Sequence, residues 1–295
     1  MKSELSTSTA RAPFDRVDAD VILLSSDNVE FWVFKVILSL SSPILENMFW
    51  LGSSQKSHSE TSLPTFEVSE SSTTLDTLLR LIYPTTTPAL RSYNDAKDFL
   101  RAVAKYNISD DALPRAKELI AAQYLKEHFL SIYALSCRYG WKDLAQRAAM
   151  ESLRLDVLDR TVPYVEEMED MTAATYRRLL LYHRACAAAA HDADTNERWF
   201  PPTNYGRCAK CYRDVSNSGI KNYRTACKER LLRRPSPSTI SALEIPDDVA
   251  STWFESSSVR CHHQLQYFQE FRRAYVTEVK RVISNVELEF SQQGA

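Results

Sequence analysis

The sequence predicts an α+β protein: a short mixed sheet flanked by helices, then an α-helical extension, then a loop-rich C-terminal region that closes with a long helix. Three observations carry this reading. Short apolar runs and period-two patterns are confined to about the first 70 residues. From residue 94 to 190, after one amphipathic helix over 75–82, apolar side chains recur at helical spacing almost throughout. Residues 191–260 then lose both periods, and helical spacing returns over 264–290.

Residues 1–14, rich in Ser and Thr, are expected to be a disordered tail. "ADVILL" (19–24) reads as a buried strand, "SSDN" as a turn, and "VEFWVF" as a second strand in which Val29, Phe31 and Val33 alternate with Glu30 and Trp32. The spacing then becomes helical: Ile37 and Leu38 sit on one short helix. Ser42 caps a second, with Pro43 at its first position and Leu45, Met48 and Phe49 as its apolar stripe. After the polar loop 52–62, "TFEVS" (65–69) is a third strand. Leu75, Leu78, Leu79 and Ile82 mark an amphipathic helix stopped by Pro84. "NDAKDFLRAVAKYN" is a helix, and "SDDALPRAKELIAAQYL" is another with Ser109 or Asp110 as its cap. "HFLSIYALSCRYG" ends at Gly140, a natural left-handed stop, and "KDLAQRAAMESLRL" and "TAATYRRLLLYHRACAAAA" follow. The closing helix carries Leu265, Phe268, Phe271, Tyr275, Val279, Val282, Val286 and Phe290. The expected division is therefore a tail over 1–14, a folded domain over 15–125, a helical extension over 126–190 and a C-terminal region over 191–295.

Composition narrows the function classes. The 295 residues allow about two domains, and 36 basic against 38 acidic side chains leave no broad footprint for nucleic acid or membrane. The N-terminus has no apolar run of the signal-peptide kind and no stretch approaches the ~20 apolar residues of a membrane span. The expected compartment is cytoplasmic or nuclear, where thiols stay reduced. With five glycines, and no GxSxG, P-loop, GxGxxG or HExxH, an enzyme is not expected. The six histidines are scattered, and adjacent acidic pairs such as Glu166–Glu167 and Asp247–Asp248 suit a solvated surface better than a shared reacting atom. In "KERLLRRPSPS" (228–238), Arg233-Arg234-x-Ser236 matches the preference of basic-directed kinases, and the plainer alternative is a solvated linker.

Cys208 and Cys211, in "GRCAKC", form a C-x-x-C pair able to grip one tetrahedral zinc, and a closed structural site needs two further ligands. "RCHHQ" supplies Cys261 with His263, His262 being the alternative and Cys227 a spare. Three other readings stand beside a structural zinc: thiols packed as small hydrophobes, a redox pair, and a catalytic zinc. The redox pair would need a helix start after Cys211, and nothing there reads as a strong helix. A metal closing the loop-rich 191–260 stretch would stabilise a region short of apolar burial.

The element order and "DVILLSSDNVEFWVFKVILSLSSPILENMF" (20–49) resemble the BTB (POZ) domain family. The resemblance rests on Asp20, Phe31, Phe34, Lys35, Leu38, Ser42, Leu45, Met48 and Phe49, and on "TTLDTLLRLIYPTT" (73–86) as the family's third helix. It covers about residues 15–125, and the whole chain is most similar to fungal BTB proteins that lack Kelch and MATH domains. Phe34 stands where the family usually has histidine. The resemblance implies that Asp20 and Lys35 lie at a dimer interface, as a homodimer or a BTB heterodimer; the alternative is an exposed Asp and Lys with no shared site. It also implies a second C-x-x-C, whose last position is Gln264 here.

The function expected from the resemblance is a protein–protein interaction module that dimerises and scaffolds a partner, as an adaptor or in a transcription-associated assembly. A substrate adaptor of a cullin-type ubiquitin ligase is the alternative, although the apolar-x-Glu position reads Ser53-Ser54-Gln55. The rival from another class is a metal-dependent enzyme or nucleic-acid binder centred on Cys208, Cys211 and Cys261. Direct nucleic-acid binding is not expected, since no recognition-helix zinc unit is present.

Overall fold

Residues 7–53, 63–84, 89–109, 111–156, 162, 164–195, 199, 217–244 and 264–290 are described by the computed structural model of the chain. The chain divides into two units, Met1–His128 and Phe129–Ala295.

In the first unit, β2 (Val21–Leu24) and β3 (Val29–Val33) pair antiparallel across a turn in which Asn28 takes φ 60°, a left-handed position that Asn tolerates. β4 (Thr65–Glu67) adds parallel to β2, and β1 (Ser8–Thr9) parallel to β3, giving the sheet order β1-β3-β2-β4. Within the stretch expected to be a tail, Ser8 and Thr9 are thus strand residues. The β1 ladder uses backbone groups alone, Ser8 N–H to Asn28 O (3.1 Å) and Ala10 N–H to Glu30 O (2.8 Å), so no side-chain pattern announces it. Phe14, fully buried, packs on Phe31 and Tyr83 behind it.

Helices α1 (Lys35–Ser41) and α2 (Pro43–Ser53) follow β3. Ser42 caps α2 as expected, its Oγ accepting the Leu45 N–H at 3.1 Å and donating to Tyr106 O at 2.5 Å. α2 lays Leu45 and Phe49 into the core, and Phe49 meets Phe66 of β4 edge-on at 5.3 Å. Gly52 closes this contact: a Cβ there would stand 2.2 Å from the Phe66 ring. α3 (Ser72–Ile82) is capped by Ser71, and its buried Leu75, Leu78 and Leu79 are the expected stripe. α4 (Tyr93–Lys105) starts from a Ser92 cap. α5 (Leu113–Tyr124) departs from expectation, because its N-cap is Ala112 without a side-chain bond. Ser109 serves through its backbone carbonyl, which accepts the Ala112 and Leu113 N–H groups.

In the second unit, α6 (Phe129–Arg138) is buried from Phe129 through Cys137, apolar nearly all round as a central helix must be. Gly140, at φ 76°, turns the chain into α7 (Lys142–Ser152). A 3₁₀ turn at Glu166–Met168 precedes α8 (Ala173–Thr195). Within the stretch whose composition suggested loops, α9 (Asn217–Arg233) and α10 (Pro237–Ser241) are helical. α9 is held by a one-residue-wide stripe, Tyr223, Cys227 and Leu231, all buried at i+4 spacing. α11 (Gln264–Ser284) closes the fold on Phe268, Phe271, Tyr275 and Val279. The stripe steps from Val279 by four to Ile283, and past the helix end at Ser284 the buried residue is Leu288, rather than the expected Val282, Val286 and Phe290.

Candidate interaction surface

Local chemistry decides what α1 shows to solvent. Of its residues only Leu38 is fully buried, so Val36 and Leu40, one turn apart, point outward. Leu40 is 80% exposed. Ile44, Trp50 and Leu51 on α2 are exposed as well, Trp50 at 73%. Val17, 89% exposed, sits at the tip of the turn before β2. That turn is tied to the start of α1 at two points. The Arg16 guanidinium, held by a bidentate bond to Asp18, lies 5.9 Å from the Phe34 ring centre. Asp20 Oδ1 accepts the Lys35 backbone N–H at 2.8 Å. These ties hold the turn that carries Val17 against the start of α1, the helix that exposes Val36 and Leu40 and leads into Ile44 of α2. Val36 and Leu40, one turn apart on α1, are the exposed aliphatic pair of this helix and make its outer face a candidate interaction site.

Asp20 and Lys35, the residues singled out for a dimer interface, are thus neighbours, but their bond is not an ion pair. Asp20 acts as a remote cap for a helix whose own N-cap, Phe34, offers no side-chain acceptor. Among the described residues the Lys35 ammonium has no carboxylate partner. Asp20 is exposed and Lys35 half-buried, so both are open to a second chain. Phe34 is engaged through its backbone: its N–H donates at 2.8 Å to the Tyr83 hydroxyl, which burial pushes up to about 12. The exposed aliphatic residues were the part that sequence reading missed. The signal available was the helical phase of α1, which sets Val36 and Leu40 opposite Leu38.

A polar hub lies beyond the α1–α2 corner, reached through Tyr106, whose carbonyl accepts from Ser42. Glu70 accepts from Lys105 Nζ (2.7 Å) and from the Tyr106 hydroxyl (2.5 Å). Burial pushes its carboxyl upward, and the bonds from Lys105 and Tyr106 outweigh it, so the group lies below the usual carboxylate range.

Cys208, Cys211, Cys261 and His263 lie outside the described residues, as does the alternative ligand His262. Among the described residues no group of three or more His, Cys, Asp or Glu could hold a metal ion. Cys227, the spare ligand, is fully buried in α9. It repeats a local pattern: Tyr133/Cys137, Tyr182/Cys186 and Tyr223/Cys227 each place a buried thiol one turn after a tyrosine. The tyrosine hydroxyls brace the helices, Tyr133 to Thr175 O (3.1 Å) and Tyr223 to Ile240 O (2.6 Å). Burial raises the Cys137 thiol to about 11 and Cys186 to about 12, which keeps both protonated and poorly nucleophilic. No helix among the described residues is long and apolar enough to cross a membrane.

Compared with known families, residues 14–120 match the family model described as BTB/POZ domain. No curated protein matches the chain.

Proposed function

Because residues 14–120 form a BTB/POZ domain, a protein–protein interaction module, we propose that the chain dimerises through the α1 face and presents a platform to a further protein partner. The dimer is a homodimer or a pairing with another BTB chain, and the platform serves as an adaptor or in a transcription-associated assembly, in cytoplasm or nucleus. The exposure of Val36 and Leu40 beside Asp20 and Lys35 carries the reading. In a two-fold interface each residue counts twice. Four aliphatic side chains at about 1.5–3 kcal/mol each on full burial supply roughly 6–12 kcal/mol. That range overlaps the roughly 4–15 kcal/mol cost of association, to which burial of Val17 and Ile44 adds a further contribution.

The test is co-expression of two differently tagged full-length copies. Co-purification that is lost in Leu40→Glu supports the reading, and failure of the wild-type copies to co-purify contradicts homodimerisation. A pull-down from native cell extract then separates the roles: a cullin among the partners selects the ubiquitin-ligase adaptor, which the Ser53-Ser54-Gln55 sequence does not favour. A structural zinc at Cys208, Cys211, Cys261 and His263 is part of this proposal, supported by the ligand types and the C-x-x-C spacing.

A further inference from the structure

The stretch "RRPSPS" is a tight corner in the fold, not a solvated linker. α9 runs through Arg233, and Ser236 takes an extended conformation (φ −122°, ψ 142°) as the N-cap of α10. Its Oγ accepts the Ser238 N–H at 3.3 Å and lies 2.9 Å from the Ser238 Oγ. α10 is pinned on both sides. Tyr223 of α9 donates to Ile240 O at 2.6 Å, Arg272 of α11 donates to Ser241 O, and Ile240 itself is fully buried. Ser236 is only 6% exposed. Arg230, Arg233 and Arg234 are exposed around this corner and have no carboxylate partner among the described residues. Arg233 and Arg234 stand three and two positions before Ser236, an arrangement that basic-directed kinases read.

We propose that Ser236 is a phosphoacceptor gated by α10. The hydroxyl becomes available when α10 lifts from α9 and α11, and the phosphate then prevents its return. In the transfer step the Ser236 Oγ attacks the γ-phosphorus of a nucleoside triphosphate bound by the kinase. The bond to the β,γ-bridging oxygen breaks, nucleoside diphosphate leaves, and the hydroxyl proton passes to the kinase base and then to solvent. The phosphomonoester carries about −1.5 to −2 charges. It cannot be seated while α10 is docked, because Ser236 is 6% exposed and its Oγ already stands 2.9 Å from the Ser238 Oγ, which leaves no room for three further oxygens. In the lifted state the Arg233 and Arg234 guanidiniums are free to form charge-assisted bonds to it. Phosphorylation therefore releases the Tyr223 hydroxyl and uncovers the faces of α9 and α11 beneath Ile240. The result is a switchable surface in the second unit that does not depend on the α1 face.

The gate makes the test specific. Full-length protein is incubated with ATP and the catalytic subunit of a basic-directed serine kinase, and the modified residue is mapped by mass spectrometry. Label is expected on Ser236, abolished by Ser236→Ala and slowed by Arg233→Ala. Tyr223→Phe removes one of the bonds that hold α10 down and should raise the initial rate about fivefold, the population change that one net hydrogen bond brings. Arg272→Ala, which frees α10 from α11, provides the same comparison should Tyr223→Phe fail to fold. The phosphorylated protein should lose amide-exchange protection across 237–241. Label on Ser238 alone, equal rates in wild type and in the loosened variants, or no label in any of them overturns the proposal.

Discussion

Ser42 joins two helices through one oxygen, and removing that oxygen has a calculable cost. Its side chain is fully buried. The Oγ accepts the Leu45 N–H at 3.1 Å, capping α2, and donates to Tyr106 O at the end of α4 at 2.5 Å. Ser42→Ala deletes the cap, worth about 1 kcal/mol, and strands the Tyr106 carbonyl away from water, worth about 1–3 kcal/mol. The expected loss is about 2–4 kcal/mol, which for a unit of this size lowers the midpoint by roughly 4 °C per kcal/mol. Denaturant unfolding and thermal melts of wild type, Ser42→Ala and Ser41→Ala measure it. Ser41 is only half-buried and shares the junction through its carbonyl, which accepts the Ser109 N–H at 2.9 Å. Ser41→Ala should therefore stay within about 0.5 kcal/mol of wild type. A Ser42→Ala loss no larger than that of Ser41→Ala would refute the argument that this hydroxyl couples α2 to α4.

Three further outcomes are expected. A double-mutant cycle on Asp20 and Lys35 in the monomeric unit should show coupling near zero, because Asp20 binds the backbone N–H of Lys35; a coupling above about 1 kcal/mol would restore a side-chain ion pair. The Glu70 carboxyl lies below its ordinary value of 4.5 in the folded chain, so its contribution is complete above that pH and is lost as pH falls through the lower folded value. Glu70→Gln should accordingly flatten the acid limb of the stability–pH curve, and an unchanged limb would contradict this assignment. Zinc should co-purify at about one per chain and be lost in Cys208→Ser with unit 1 still folded; elemental analysis without metal would return the thiols to the packing reading.

Much of the first unit, and one stop in the second, was legible because the signals are local. Ser42 followed by Pro43 marks a helix start, Leu75, Leu78 and Leu79 mark a buried stripe, and Gly140 marks a stop; each needs only neighbours in sequence. The features that escaped depend on partners far along the chain. β1 is two residues with both side chains exposed, so nothing but its backbone ladder to β3 defines it. Asp20 was legible as a charge to be paired, but its partner is a peptide N–H fifteen positions away. α9 hid behind its polarity: with Lys221, Asn222, Thr225, Glu229 and Arg230 exposed, only the Tyr223, Cys227 and Leu231 repeat marks it as a packed helix. The same pattern placed Ser236 in a buried cap, where composition suggested a linker. For the interaction surface, the charged residues drew the sequence reading, while the exposed apolar residues around them required knowing which way α1 faces.

The central claim is that the BTB/POZ domain of this chain pairs through the α1 face. Light scattering of the purified full-length protein at micromolar concentration tests it most directly. The account predicts a particle of twice the chain mass for wild type and of single-chain mass for Leu40→Glu, with Lys35→Glu weakened between them. A wild-type monomer, or a dimer indifferent to Leu40→Glu, would contradict it.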